Sequence, residues 1–311
     1  MAINKNGIVV MGAVFVDIKG FPNDVYIPDG RNAGSVEYIH GGVSRNVVGD
    51  IANMELRPTF LSIVDESALA DAVVRKLQNH KVNTNYIRCT PNGMGTWLAV
   101  FDNNGDLAGS ISQRPNRMPL LEVLEQQGDE IFADADSIII EVDIDKEIVK
   151  KVVELCEKHQ KKLYGVVSNM SIAVERRDFL QKFDCFICNQ LEAGMFFADD
   201  FSETSPQELA EVLAKKLQLA KIPSMVVTMG GAGSVYADMK GKKGVCPAKR
   251  VQVKDTTGAG DAFCAGVASG LTYGKTLAES VEIGTRLAAS VITSSENVCP
   301  RFLPGELGIE A

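Results

Sequence analysis

A chain of 311 residues, 45% of them hydrophobic and 23% charged, has material for one large α/β domain or two smaller ones, and therefore for an enzyme. Its net charge of −8 excludes a broad basic surface for gripping nucleic acid or anionic membrane. Seven cysteines without repeating spacing, no apolar run near the ~20 residues of a bilayer span, and an N-terminus lacking a secretion signal read as a soluble cytoplasmic protein with reduced thiols.

In chain order, β-rich runs alternate with helical patterns, the signature of βαβ units and a mainly parallel sheet. The predicted strands cover residues 8–14, 59–64, 137–142, 163–167, 185–188 and 224–229. A first helix is expected over 43–54, where Val47, Val48 and Ile51 share a face, and Leu69, Val73 and Leu77 mark the next. Further helical stripes follow at Leu209, Val212, Leu213 and Leu217, and at Leu277, Val281, Gly284, Leu287 and Val291. Cys185 and Cys188 have the spacing of a redox pair, but no second pair completes a metal site and the segment reads as buried strand. Two stretches, 17–40 and 93–119, break the alternation, and the second holds a β-hairpin, 96–101 and 107–111 around Asn103-Asn104-Gly105. Together they are expected to form a small β layer. Residues 17–39 and 93–117 would be a lid that excludes water, or an antiparallel extension serving dimerisation, or both, over a core of 1–16, 40–92 and 118–311.

Residues 255–263 read Asp-Thr-Thr-Gly-Ala-Gly-Asp-Ala-Phe and enter an apolar helix pattern at Ala262, Phe263, Ala265, Val267 and Leu271. Free N–H groups converge at such an N-terminus and attract anions, phosphate above all. Gly258 and Gly260 admit close approach of the main chain to a ligand. An acid here repels an anionic ligand unless it takes a proton from the attacking group, which makes Asp261 a candidate general base. The plainer alternative is that Asp255 caps a turn and Asp261 complements the helix dipole. Three more motifs fall where strands should end, beyond which open α/β sheets bind ligands. Asn189 and Glu192 are spaced for a hydrated Mg²⁺, or for an ordinary first helical turn. Thr228, Gly231 and Gly233 offer a hydroxyl and pliant backbone for nucleotide phosphates, or simply a turn. Gly41 and Gly42 open a helix that carries Asn46 in its first turns, where the amide suits sugar hydroxyls, with helix capping the alternative.

In this order the motifs resemble those of the ribokinase-like (PfkB) family of carbohydrate and nucleoside kinases across essentially the whole chain. The resemblance implies an α/β fold, a three-layer α/β/α sandwich with a mainly parallel central sheet and a small β-sheet lid. It implies transfer of the ATP γ-phosphoryl group to a hydroxyl of a sugar or nucleoside, with Asp261 as base and the backbone of Gly258, Ala259 and Gly260 as anion hole. It places Asp17, Gly41, Gly42 and Asn46 at the substrate, and Asn189, Thr228, Gly231, Gly233 and Thr256 at the nucleotide. Glu192 with Asn189 would organise Mg²⁺, mainly through water. Asp255 and Thr257, with the 294–297 segment, would hold a monovalent cation such as K⁺. Many relatives pair their lids, so a homodimer is expected, with neither nucleic acid nor membrane as a partner.

Gly-Gly-Val-Ser-Arg-Asn is similar to the Gly-Gly-Val-x-Arg-Asn of pseudouridine kinases. The segment 110–115 and the strand end Glu141-Val142-Asp143 depart from that pattern, so pseudouridine and free-sugar phosphorylation both stay open. A non-catalytic sugar or nucleoside sensor is the alternative outside enzymes. A dinucleotide-dependent oxidoreductase is disfavoured because Met11-Gly12-Ala13-Val14 lacks the Gly-x-Gly-x-x-Gly fingerprint.

Overall fold

The computed structural model describes residues 4–310, leaving aside the side chains of Ile172, Arg176 and Arg177. Its first half runs β1 (Gly7–Met11), β2 (Phe15–Pro22), β3 (Gly34–Gly41), α1 (Val43–Asn53), β4 (Thr59–Val64), α2 (Ala68–Asn79), β5 (Ile87–Cys89), β6 (Gly95–Phe101), β7 (Leu107–Gln113) and α3 (Pro119–Ala133). Next come β8 (Ala135–Glu141), α4 (Lys146–His159), β9 (Lys162–Val166), the single turns α5 (Met170–Ala173) and α6 (Arg177–Leu180), β10 (Cys185–Asn189), α7 (Gln190–Phe197) and α8 (Pro206–Ala220). The chain closes with β11 (Ser224–Thr228), β12 (Ser234–Asp238), β13 (Lys243–Cys246), α9 (Ala259–Thr272) and α10 (Leu277–Val291).

Nine strands form the central sheet in the order β13-β12-β11-β10-β9-β8-β1-β4-β5. Pairing is parallel from β11 through to β5, and only β12 and β13 run antiparallel, at one edge. A parallel sheet must be covered on both faces, and the alternation of side chains along each strand divides the core accordingly. Val9, Met11, Ile138 and Ile140 bury against Leu120 and Val123 of α3, Ile148 and Val152 of α4, and Leu213 of α8. Their neighbours Ile8, Val10, Ile139 and Tyr164 bury against Val48 of α1, Val73 of α2, Phe263 of α9 and Leu287 of α10. The result is a three-layer α/β/α sandwich. Helices α9 and α10 cross closely because two glycines meet: a Cβ on Gly266 would lie 2.7 Å from the Cα of Gly284. Cys185 and Cys188, an odd number of residues apart, point to opposite faces of the sheet, and both are buried and free.

A second sheet of four strands, β3-β2-β6-β7, stands apart as the lid. Its pairing runs from Phe15 to Gly41, past both borders expected for the first lid segment. The first core strand correspondingly ends at Met11 rather than Val14, because Gly12 turns the chain tightly against Ser44 and Glu141 on its way to the lid. Three strands went unpredicted, namely the three-residue β5 and the antiparallel edge pair β12 and β13. Among the described residues no helix is long and apolar enough to cross a membrane.

Candidate active site

Parallel strands send all their carboxyl ends to one edge, so the last residues of β8, β10 and β11 (Glu141, Asn189 and Thr228) share that edge with the turns that follow. Helix α9 begins there on Gly258, whose φ of 81° is left-handed and whose missing Cβ leaves room for the carbonyl oxygen of Asn297. A glycine cap offers no side chain to the first-turn N–H groups at the positive end of the dipole; that of Ala259 donates to the Thr256 carbonyl at 3.2 Å, and those of Gly260 and Asp261 face no side-chain cap. Gly260 is exposed, and a Cβ built on it meets nothing within 4 Å, so open space lies directly over this turn. Asp255 shapes the approach: its Oδ1 accepts the Thr257 N–H at 2.8 Å, and this bond above all holds the carboxyl below its ordinary range.

Asp261 follows one residue later, and the structure ties it to a residue 215 positions away. Asn46 Nδ2 donates to Asp261 Oδ2 at 2.7 Å, joining the first turn of α1 to the first turn of α9. Burial pushes the Asp261 carboxyl up to about 7, against the Asn46 hydrogen bond and with further upward pressure from Glu141. The residue as a whole is only partly buried. The Asn46 amide oxygen in turn accepts Arg45 Nη1 at 2.8 Å. Gly42 opens α1 with φ 99°, and a Cβ there would press to 2.6 Å on the Ala13 carbonyl. Gly41 is equally constrained, since its Cβ would come within 2.9 Å of Asp17 Oδ2. Burial raises the Asp17 carboxyl, with Lys19 and Arg45 opposing it. Across the lid sheet Asp17 shares one row with Ile39, Trp97 and Ser112, so the only tryptophan stands beside it.

The motifs at Asn189 and Thr228 lie at the same edge. Asn189 and Glu192 form a reciprocal capping box: Asn189 Oδ1 accepts the Glu192 N–H, and Glu192 Oε2 accepts the Asn189 N–H, each at 2.8 Å. The helical reading of this pair is thus realised, which leaves Glu192 one uncommitted oxygen. Burial raises its carboxyl. After Thr228 the chain turns through Gly230 at φ 55° and Gly233 at φ 98°. A Cβ on Gly231 would meet open space, whereas one on Gly233 would overlap the Cys246 carbonyl. Gly233 is therefore fixed by packing, and Gly231 leaves an approach clear.

Several groups in the cleft carried no assignment from sequence. Arg45 is 3% exposed and also donates to Asn297 Oδ1 at 3.2 Å. The Asn297 side chain, inside the segment expected to bind a cation, is thus engaged by a guanidinium and by the His40 carbonyl, to which its Nδ2 donates at 2.8 Å. Glu141 accepts the Ser44 N–H at 3.1 Å, and burial, then Asp143, raises its carboxyl. Asp143 accepts both the N–H and the hydroxyl of Ser168, at 3.0 and 2.7 Å. A charged residue between two strand-forming or helix-opening motifs was the available signal, as in Ser44-Arg45-Asn46 and Glu141-Val142-Asp143.

The three-layer sandwich with its small second sheet, together with the relatives below, defines the class as a phosphotransferase with an alcohol group as acceptor. The chain belongs to the pfkB family of carbohydrate kinases, whose signature matches residues 5–299. It is 35% identical to guanosine-inosine kinase of Exiguobacterium acetylicum over 294 residues, 94% of this chain and 96% of that protein. It is 25% identical to pseudouridine kinase of Escherichia coli over 279 residues, 89% and 87% of the two chains. Among solved structures it superposes on Arabidopsis thaliana ribokinase complexed with ribose and ATP with a TM-score of 0.84 at 19% identity, covering 98% and 99% of the chains.

Proposed function

We propose that the chain is a cytoplasmic ATP- and Mg²⁺-dependent kinase that phosphorylates a primary hydroxyl of a purine nucleoside of the guanosine or inosine type. The observation that carries this reading is the Asn46–Asp261 hydrogen bond, which brings the Gly-Gly helix and the glycine-capped helix into one cleft. With one Asp261 oxygen held by Asn46, the other is left to accept the proton of the attacking hydroxyl. The hydroxyl oxygen bonds to the γ-phosphorus as the bond to the β-phosphate oxygen breaks, and ADP leaves. The Gly258, Ala259 and Gly260 backbone meets the charge that develops on the transferred group. Asp17, Gly41, Gly42 and Asn46 hold the sugar.

Thr228, Gly231, Gly233, Asn189 and Thr256 border the space for the triphosphate. A Cβ on Gly231 or Gly260 would meet no atom within 4 Å, which leaves the main chain there open to a ligand. Mg²⁺ would neutralise phosphate charge, held mainly through water by the free Glu192 oxygen and Asn189. Asp255 and Thr257 are the residues for a monovalent cation. Two features favour a nucleoside over a free sugar: the similarity to a guanosine-inosine kinase over nearly both full lengths, and the aromatic plane of Trp97 beside the hydroxyl-binding Asp17. The Gly-Gly-Val-Ser-Arg-Asn segment keeps pseudouridine as the second candidate. We further propose that two copies pair through the lids.

The test is ADP release with Mg-ATP against guanosine, inosine, adenosine, pseudouridine, ribose and fructose, with products weighed by mass spectrometry. A phosphate gained by guanosine or inosine supports the reading. Turnover of free sugars alone overturns the substrate class, and ATP binding without turnover of any acceptor points to a sensor.

A further inference from the structure

Arg45 is an anomaly by the usual rules for buried charge. Its guanidinium is 3% exposed, yet among the described residues no carboxylate pairs with it; its side-chain partners are two amide oxygens, Asn46 Oδ1 at 2.8 Å and Asn297 Oδ1 at 3.2 Å. A cation removed from water without an ion-pair partner is expensive, and most chains avoid it. Burial opposes the charge here, and the carboxyls of Asp50, Glu296, Asp261 and Asp17 favour it from a distance. An apolar side chain would fill the space more cheaply, so the charge must serve something that packing cannot.

What it serves follows from hydrogen-bonding capacity. An amide is nearly symmetric in shape and can turn either end toward a neighbour, but Arg only donates, so the end of Asn46 facing it must be oxygen. That forces the NH₂ end toward Asp261. A flipped amide would set its oxygen against the carboxylate and favour the protonated, catalytically idle acid. We propose that Arg45 is a positioning residue for phosphoryl transfer: it locks the Asn46 amide so that Asp261 always faces a donor and stands ready as a carboxylate. The inference rests on the reading of Asp261 as the base. Asn297 completes the lock, because its amide oxygen holds the other side of the guanidinium while its Nδ2 donates to the His40 carbonyl at the end of β3. The same residue's carbonyl abuts Gly258, so one side chain cluster joins lid base, helix α1 and the anion cradle.

The charged and titratable groups around Asp261 are Glu141 from the end of β8, Arg45 and Asp50 from α1, and Cys264 on its own helix. Around Arg45 stand Asp17 and His40 from the lid and Glu296 after α10. Of those acting on Asp261, Arg45 is the cation. Replacing it with the neutral, similarly long Met therefore frees the amide and removes positive potential together, and both changes favour the protonated acid.

The test uses the whole enzyme, with the best acceptor from the substrate panel. Arg45→Met is expected to lower kcat roughly tenfold to a hundredfold. The acid limb of the kcat–pH profile should move to higher pH, and the KM for ATP should hold. Arg45→Lys, which keeps a donor and the charge, should restore part of the rate and return the limb toward wild type. Asn297→Ala, which loosens the lock from its far side, should move the limb in the same direction as Arg45→Met but less. Circular dichroism checks that each variant folds, and the milder pair keeps the test open if Arg45→Met does not. Folded variants that lose rate with an unmoved pH profile, or lose no rate, would overturn the inference. A fully active Asp261→Asn would instead remove the base on which it rests, which separates the two failures.

Discussion

At Asp261 the demands of burial and of catalysis oppose one another. In the proposed role as base Asp261 must be ionised, while burial pushes this carboxyl up to about 7. The fraction of free enzyme with a competent base would therefore grow as pH rises through that value, so kcat/KM should climb between about pH 6 and 8 and level off above. Asp261→Asn keeps the shape and the neighbouring amide but cannot accept the proton. It should lower kcat by about 10²–10⁴-fold, abolish the climb with pH, and leave the melting temperature near wild type. Turnover against pH for both proteins checks this. Asp50, one helical turn beyond Asn46, makes a different case. It is fully buried, Oδ1 accepts the Cys299 N–H at 2.6 Å, Oδ2 has no hydrogen-bond partner among the described residues, and burial raises its carboxyl well above the ordinary 3.8. Above that ordinary value the unfolded chain has released this proton while the folded chain retains it. Stability from this group thus falls as pH rises toward the folded pKa. Asp50→Asn carries no such linkage, so its melting temperature relative to wild type should improve as pH rises above the ordinary carboxyl range, from pH 5 upward. A constant difference across that range would mean Asp50 does not hold its proton in the fold.

Helix α9 separates two kinds of glycine that look alike in the sequence. Gly258 is left-handed, and a Cβ on it would overlap the Asn297 carbonyl, whereas a Cβ on Gly260 meets open space. Gly258→Ala should therefore destabilise the fold by about 1–3 kcal/mol for the strained conformation alone. Gly260→Val should fold with a near wild-type denaturation midpoint yet lose turnover, because its side chain fills the ground where phosphate would sit. Urea unfolding and steady-state rates measured on both variants test the contrast, and a stable, active Gly260→Val would remove the anion-hole reading. Both glycines were legible as a motif, because a glycine-rich turn that opens an apolar helix is written in consecutive residues. The parallel strands were legible for a similar reason: burial on both faces makes each a continuous apolar run. Contacts made across the sheet left no such trace. Nothing local to Asn46 announces Asp261, and the capping box of Asn189 and Glu192 looks the same whether or not a metal lies nearby. The strands β5, β12 and β13 leave little pattern in the sequence because one is very short and the other two, at an antiparallel edge, mix polar with apolar residues.

For the molecule as a whole the lid poses a problem that the core does not. The row opposite Asp17 carries Tyr38, Ile18, Leu98 and Ile111 in register, and Tyr38, Leu98 and Ile111 are 58%, 41% and 69% exposed, with Val36 nearby at 59%. Isolated exposed apolar residues need no explanation, but a contiguous row across four strands marks a contact surface. The lid also ends in two unpaired edges, β3 and β7, and every residue of β7 is exposed. Edges of that kind invite pairing with another chain. A second copy related by a two-fold axis covers the row with itself and satisfies both features at once, since such an interface is self-complementary. The net charge of −8 would repel two copies brought together at random, which favours contact through a patch that carries little charge. The expected species is thus a homodimer, and Tyr38→Glu combined with Ile111→Glu places four like charges in its interface. Sedimentation equilibrium should give about twice the chain mass for the wild type and the chain mass for the double variant, with secondary structure unchanged by circular dichroism. Because the Asp17 row lies on the other face of the same thin sheet, the monomeric variant should also bind its acceptor more weakly, raising KM more than it lowers kcat. A wild type that sediments as a monomer at micromolar concentration would leave the apolar row without this partner.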